Sequence, residues 1–121
     1  MKILIDLQGL QRNGNRERGI GRYCLELTKS LINCYPENEY ILFTNSALYD
    51  LRSDFSDELH NKKLNLNYFE CPIVGNINEI YVGRYSKFWF ATQLRSYALS
   101  IINCDIVLIT SFFDGFRDNT L

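Results

Sequence analysis

The apolar positions of this chain alternate between short continuous runs and longer stretches in which they recur every three or four residues. Lys2-Ile-Leu-Ile-Asp-Leu7, Glu39-Tyr-Ile-Leu-Phe-Thr44 and Asp105-Ile-Val-Leu-Ile109 are runs of strand length, rich in β-forming residues. The last is apolar on both faces, as a central parallel strand would be. Leu64-Asn-Leu-Asn-Tyr-Phe69 begins with strict alternation, the pattern of a half-buried strand near an edge. Ile20, Tyr23, Cys24, Leu27 and Leu31 recur at helical spacing and predict a helix from about Ile20 to Cys34, stopped by Pro36. Ile20, Cys24, Leu27 and Leu31 would face the sheet, with Arg22, Glu26 and Lys29 outward. Asn45-Ser46 would cap a short helix over Ala47 to Arg52. A further helical turn fits Ser53 to Asn61, where Phe55 and Leu59 are the apolar pair. After a turn at Cys71 to Asn76, a helix is expected from Ile77 or Glu79 to Ile102, broken near Gly83. Phe88, Ala91, Leu94, Ala98 and Ile101 share one face of it.

Strands alternating with helices imply an α/β fold, a Rossmann-like parallel sheet of about four strands with right-handed crossovers and helices on its faces. The natural strand order is 3-2-1-4. It sets the loop after the first strand beside the loop after the fourth, at the switch point where ligands of open α/β sheets bind.

The loop after the first strand is long and polar: Gln8-Gly-Leu-Gln-Arg-Asn-Gly-Asn-Arg-Glu-Arg-Gly-Ile-Gly-Arg-Tyr23. Gly9, Gly14, Gly19 and Gly21 permit backbone angles and approaches closed to other residues. A helix beginning at Gly19 or its neighbour presents free N–H groups and a dipole that favour an anion. Arg12, Arg16 and Arg18 lie in the loop, and Arg22 falls in the first helical turn, where a cation opposes the dipole. Gly14-Asn-Arg-Glu-Arg-Gly19 has the spacing of a P-loop, but Ile20-Gly21 follows in place of Lys-Ser or Lys-Thr, so the phosphate-gripping lysine and magnesium hydroxyl are missing. Gly19-Ile-Gly21-Arg-Tyr-Cys24 lacks the third glycine of a dinucleotide fingerprint. The second strand ends in Thr44-Asn45 without an acid to hold a ribose. A nicotinamide-dependent oxidoreductase is therefore disfavoured.

Ile3-Leu-Ile-Asp-Leu-Gln-Gly-Leu-Gln11 followed after a spacer by Arg18-Gly-Ile-Gly-Arg-Tyr23 resembles the N-terminus of bacterial family-4 glycosyltransferases of the GT-B fold. Asp105-Ile-Val-Leu-Ile-Thr-Ser-Phe-Phe-Asp-Gly-Phe-Arg-Asp118 is similar to the fourth-strand loop of the same subgroup. The resemblance implies that residues 1–121 are a single domain, the N-terminal acceptor-side portion of such an enzyme, with the donor domain and its paired glutamates absent. It implies a backbone wall facing the donor diphosphate at Arg18, Gly19, Ile20 and Gly21, and acceptor contacts at Ser111, Asp114 and Asp118. It implies partners in the form of a nucleotide-sugar donor and a polysaccharide or lipid-linked saccharide acceptor. The mechanism implied retains anomeric configuration and leans on the donor's own phosphate. No catalytic residue is then expected within this chain, which alone would be inactive. The bland alternatives are that Arg18 to Gly21 only start a helix, that Asp114-Gly115 is a turn and that Ser111 is a helix cap.

Composition narrows the field further. At 46% hydrophobic and 14% aromatic the chain can bury a real core, and its net charge of −1 gives no basic footprint for nucleic acid. No run of 18 apolar residues suggests a membrane span. Met1 to Asp6 reads as a buried strand rather than a signal peptide, because an acid arrives at position 6. The expected location is the cytoplasm, or the inner membrane face as a peripheral protein. Cys24, Cys34, Cys71 and Cys104 lie far apart with no CxxC, so reduced and mostly buried thiols are expected. His60 is the single histidine and sits on a surface segment, which argues against zinc and against a catalytic histidine. Neither metal nor cofactor is expected. The competing reading is a non-catalytic α/β interaction module. A homodimer could form through an exposed sheet edge or through the helix bearing Tyr81, Tyr85, Phe88, Trp89 and Phe90, aromatics that otherwise belong to the core.

Overall fold

The computed structural model describes residues 1–11, 19–46, 49–71, 97 and 100–110. Its elements are β1 (Lys2–Asp6), α1 (Gln8–Gln11), α2 (Gly19–Cys34), β2 (Glu39–Asn45), α3 (Ser56–His60), β3 (Asn65–Cys71) and β4 (Ile106–Ile109). The four strands form one all-parallel sheet in the order β3-β2-β1-β4, the Rossmann-like α/β arrangement expected.

Period-two alternation explains how the sheet acquires two cores. Ile3, Ile5 and Leu7 of the first strand region, with Tyr40 and Leu42 of β2, point to the face covered by the early helices. They join Leu10, Cys24, Ile32, Leu51 and Phe55, all buried. Leu4, Ile41 and Phe43 point to the opposite face, where half-buried Phe69, Ile102, Cys104 and Val107 pack on them. Phe43 and Phe69 stack there with ring centroids 5.6 Å apart. Apolar residues on both faces of β1 and β2 are what a sheet covered on both sides requires.

Backbone pairing brings the two ends of the chain together. The Asp105 N–H donates to the Lys2 carbonyl at 2.8 Å, and the Lys2 N–H donates to the Asp105 Oδ2 carboxylate oxygen at 2.7 Å. At the other end of α2, the Tyr40 hydroxyl reaches the Tyr35 carbonyl at 2.7 Å and the Leu31 carbonyl at 3.1 Å. Those two oxygens also accept from the backbone, Leu31 from the Tyr35 N–H at 3.1 Å and Tyr35 from the Asn38 N–H at 3.4 Å, so the hydroxyl adds a tie from β2 to the end of α2.

Several expectations need correction. Helix α2 buries Gly21, Cys24, Thr28 and Ile32, while Tyr23 is exposed, Leu27 lies at the surface and Lys29 is half-buried. The buried stripe is turned away from the one read from apolar spacing because Thr28 belongs to it: its hydroxyl donates to the Cys24 carbonyl at 2.7 Å and so can be buried. Lys29 lays its stem inward and holds its ammonium 5.9 Å from the Phe55 ring centroid. The segment 49–52 is not helical, whereas the helical turn expected within Ser53 to Asn61 is present as α3. Gln8 to Gln11 form a turn of helix rather than loop. Among the described residues β4 is a terminal strand rather than a central one, and its Ile106 is exposed. Ile101 is also exposed, and Ile102 takes the packed position beside it. Cys24 is buried, but Cys34 is exposed and Cys104 half-buried; all three are free thiols. Most of the expected long helix, with its aromatic cluster, lies outside the described residues; the described 97, 100 and 101 are helical.

Removing the Tyr40 hydroxyl tests the tie between α2 and β2. Tyr40→Phe should lower stability by about 1 kcal/mol, a loss of several degrees in Tm in a domain of this size. Thermal unfolding monitored by circular dichroism checks this; an unchanged Tm would mean that the backbone donors of Tyr35 and Asn38 alone suffice for those carbonyls.

Candidate functional site

The switch point lies where the carboxyl ends of β1 and β4 adjoin beneath the N-terminus of α2. Three hydrogen bonds define its floor. The Thr110 hydroxyl donates to the Asp6 carbonyl at 2.8 Å, joining the two strand ends. The Cys24 thiol donates to the Thr110 carbonyl at 3.1 Å, joining β4 to the early part of α2. The Leu7 N–H donates to the Phe43 carbonyl at 2.9 Å, carrying the pairing of β1 with β2 one residue past the strand. Asp6 itself is buried, at 2% exposure.

Gly19 is the first described residue of α2, and the N–H groups of its first turn point back along the helix axis, away from the helix's own carbonyls. No acid occupies the first turn, and exposed Arg22 does. A Cβ placed on Gly19 would meet no atom within 4 Å, and its φ is outside the left-handed range. Neither packing nor backbone angle therefore demands glycine at 19, whereas Gly21 lies on the buried side of the helix. The backbone of Ile20 continues the helix between them.

Of the residues singled out from sequence, the structure brings Gly19, Ile20 and Gly21 to the helix start beside the switch point. Arg18 lies outside the described residues, as do Arg12 and Arg16. Ser111, Asp114 and Asp118 also lie outside them; Ser111 follows Thr110 directly in the chain. His60 is exposed on α3, with its Nδ1 2.6 Å from the Ser56 carbonyl.

Sequence reasoning missed Gln11, treated as part of a polar loop. It is buried at 2% exposure. Its Nε2 donates to the carbonyls of Asn45 at 3.1 Å and Tyr49 at 2.7 Å, and its Oε1 accepts from the Asn45 N–H at 2.8 Å. The available signal was Leu10, an apolar residue in an otherwise polar stretch, which anchors the turn in the core.

A second polar group braces the rim from the β3 side. Arg52 pairs with Asp50 at 3.0 Å and Glu70 at 3.1 Å, with its guanidinium 4.9 Å from the Tyr68 ring centroid. The Tyr68 hydroxyl accepts from the Leu51 N–H at 3.1 Å and donates to Asp50 at 3.3 Å. The Arg52 backbone N–H, and then its guanidinium charge, hold the Asp50 carboxyl below the usual range, while burial pushes the Tyr68 hydroxyl up. Among the described residues, no three histidine, cysteine, aspartate or glutamate side chains converge as a metal site would need, and no helix is long and apolar enough to cross a membrane.

No protein-family model matches the chain, and no solved structure matches it. Among curated proteins it is similar to the serotype-specific mannosyltransferase WbdA of Escherichia coli, 27% identical over 124 residues. The match covers 98% of this chain and 14% of that protein, so the chain spans a small part of its relative's length. This similarity supports a glycosyltransferase relationship.

Two outcomes follow from the geometry. Gly19→Ala should not lower Tm and should raise it if the gain in helix propensity, up to about 1 kcal/mol, is realised at the first position; a lower Tm would reveal a packing demand at residue 19. Asp50 is held ionised by Arg52, so its contribution is present above its unfolded value of about 3.9 and is lost as pH falls through its lower folded value. Acid titrations of stability should therefore show wild type and Asp50→Asn converging below about pH 4, and a constant difference between them would contradict that assignment.

Proposed function

We propose that this chain is the N-terminal, acceptor-side portion of a retaining GT-B glycosyltransferase of family 4. In this reading the enzyme moves a sugar from a nucleotide-sugar donor to a polysaccharide or lipid-linked saccharide. The observation that carries it is the extent of the similarity to a mannosyltransferase, which runs over 98% of the chain and so includes both the Gly-rich loop and the segment after β4. The strand order supports it by setting those two segments on adjacent strands. The relative's name makes nucleotide-activated mannose the first donor to try.

The roles follow from the chemistry of each group. N–H groups of a first helical turn, as at Gly19, Ile20 and Gly21, suit the oxygens of a donor diphosphate, and Gly19 adds no side chain that would hold such a group away. Arg18 would add a forked donor for the same oxygens. Ser111, Asp114 and Asp118 would bond acceptor hydroxyls. A leaving diphosphate gains negative charge as the glycosidic bond breaks, so fixed N–H donors on it stabilise the transition state more than the ground state. The groups that grip the nucleotide and the sugar ring belong to a donor-binding domain outside these residues.

The test has two arms. The purified chain, incubated with nucleotide-activated mannose and mannose-containing oligosaccharides, should give no transfer product. In a ¹H–¹⁵N NMR titration the corresponding nucleoside diphosphate should shift the amides of Gly19 to Gly21, and the oligosaccharide should shift Thr110 and its neighbours. Transfer by the chain alone would overturn the assignment as a part-enzyme. Silence of both amide groups would favour the interaction-module reading.

A further inference from the structure

Gln11 uses its whole side-chain amide. Both donor contacts and the acceptor contact go to backbone atoms of the segment leaving β2, at Asn45 and Tyr49. The Gln11 side chain is buried and its bonds part-buried, in a turn whose own backbone is already closed by the Leu10 and Gln11 N–H groups bonding the Leu7 carbonyl. Leu10 supplies the hydrophobic anchor for that turn. A connection that only had to leave the sheet would need nothing more. The amide adds direction: it fixes α1 against the carboxyl end of β2 at three points, and α1 packs against both α2 and β2. The receiving segment is itself held from the far side by the Tyr68 hydroxyl on the Leu51 N–H. The segments leaving β1 and β2 are thereby tied to each other and to β3.

We infer that Gln11 is a positioning residue for the diphosphate-facing N-terminus of α2, setting where Gly19 to Gly21 stand relative to the strand ends through its three-point bond to the β2 exit. The inference rests on the glycosyltransferase reading of that helix start. Gln11 touches no ligand in this role. It acts because N–H donors aimed at phosphate oxygens lose their hold when displaced by a fraction of a hydrogen-bond length.

The probe is inorganic pyrophosphate, titrated into the ¹⁵N-labelled chain and followed at the Gly19, Ile20 and Gly21 amides. Gln11→Met keeps the volume and removes the three bonds. Gln11→Asn is one methylene short of making them and serves where the methionine variant does not fold. Phe55→Leu, a core change at the α3 side, is the matched destabilised control. All are read at a temperature where unfolding curves show them fully native. The expected result is pyrophosphate affinity about tenfold or more weaker in the Gln11 variants and unchanged in Phe55→Leu. Unchanged affinity in a folded Gln11 variant overturns the inference. So does equal loss in Phe55→Leu, which would trace the effect to stability, and so does failure of both Gln11 variants to fold, which would make the residue a structural bolt. Absence of any wild-type response to pyrophosphate would instead reject the phosphate-facing reading itself.

Discussion

The parallel pairing of β1 with β4 is the contact on which the other features hang. Parallel neighbours cannot be joined by a tight turn, so this pairing obliges the chain to travel from residue 6 to residue 106 before returning beside its own beginning. The Asp105 carboxylate on the Lys2 N–H holds the entry to the pair, and the Thr110 hydroxyl on the Asp6 carbonyl holds the exit. With β2 and β3 on the opposite flank, strand order reverses between β1 and β4. A crevice at their carboxyl ends is a geometric consequence of that reversal.

Helix α2 depends on the same contact. Its buried side is narrow, made of Gly21, Cys24, Thr28 and Ile32, and small residues near its start let it approach the sheet closely. Cys24 reaches the carbonyl of Thr110, so the start of the helix is referenced to β4 as well as to β1. Gln11 then references the turn before it to β2. A helix N-terminus held against three strand ends has little freedom, and a rigid, preorganised set of N–H donors is what an anionic ligand at that place would call for.

The sheet was legible in the chain because each strand is a compact apolar run that period-two alternation distributes between two packed faces, as Ile3, Leu4 and Ile5 show. The facing of α2 was not, since Thr28 counts as polar until its hydroxyl is seen to bond within the helix and leave a surface that can be buried. The turn at α1 escaped because four residues containing a glycine and two glutamines carry no periodicity to read. Gln11 escaped with it: its role lies in bonds to Asn45 and Tyr49, more than thirty positions away. The helix start at Gly19 was readable from glycine spacing and its polar surroundings, whereas Ser111, Asp114 and Asp118 rest on resemblance.

The central claim is that the crevice between the carboxyl ends of β1 and β4 is the ligand site of a sugar-transferring protein. Photo-crosslinking tests it most directly: a photoactivatable analogue of nucleotide-activated mannose is irradiated with the protein, and the labelled peptides are mapped by mass spectrometry. The account predicts label concentrated in the peptides covering residues 8–23 and 105–118, competed away by the unmodified nucleotide sugar. Label scattered over the surface, or concentrated on α3 and the β3 edge, would contradict it.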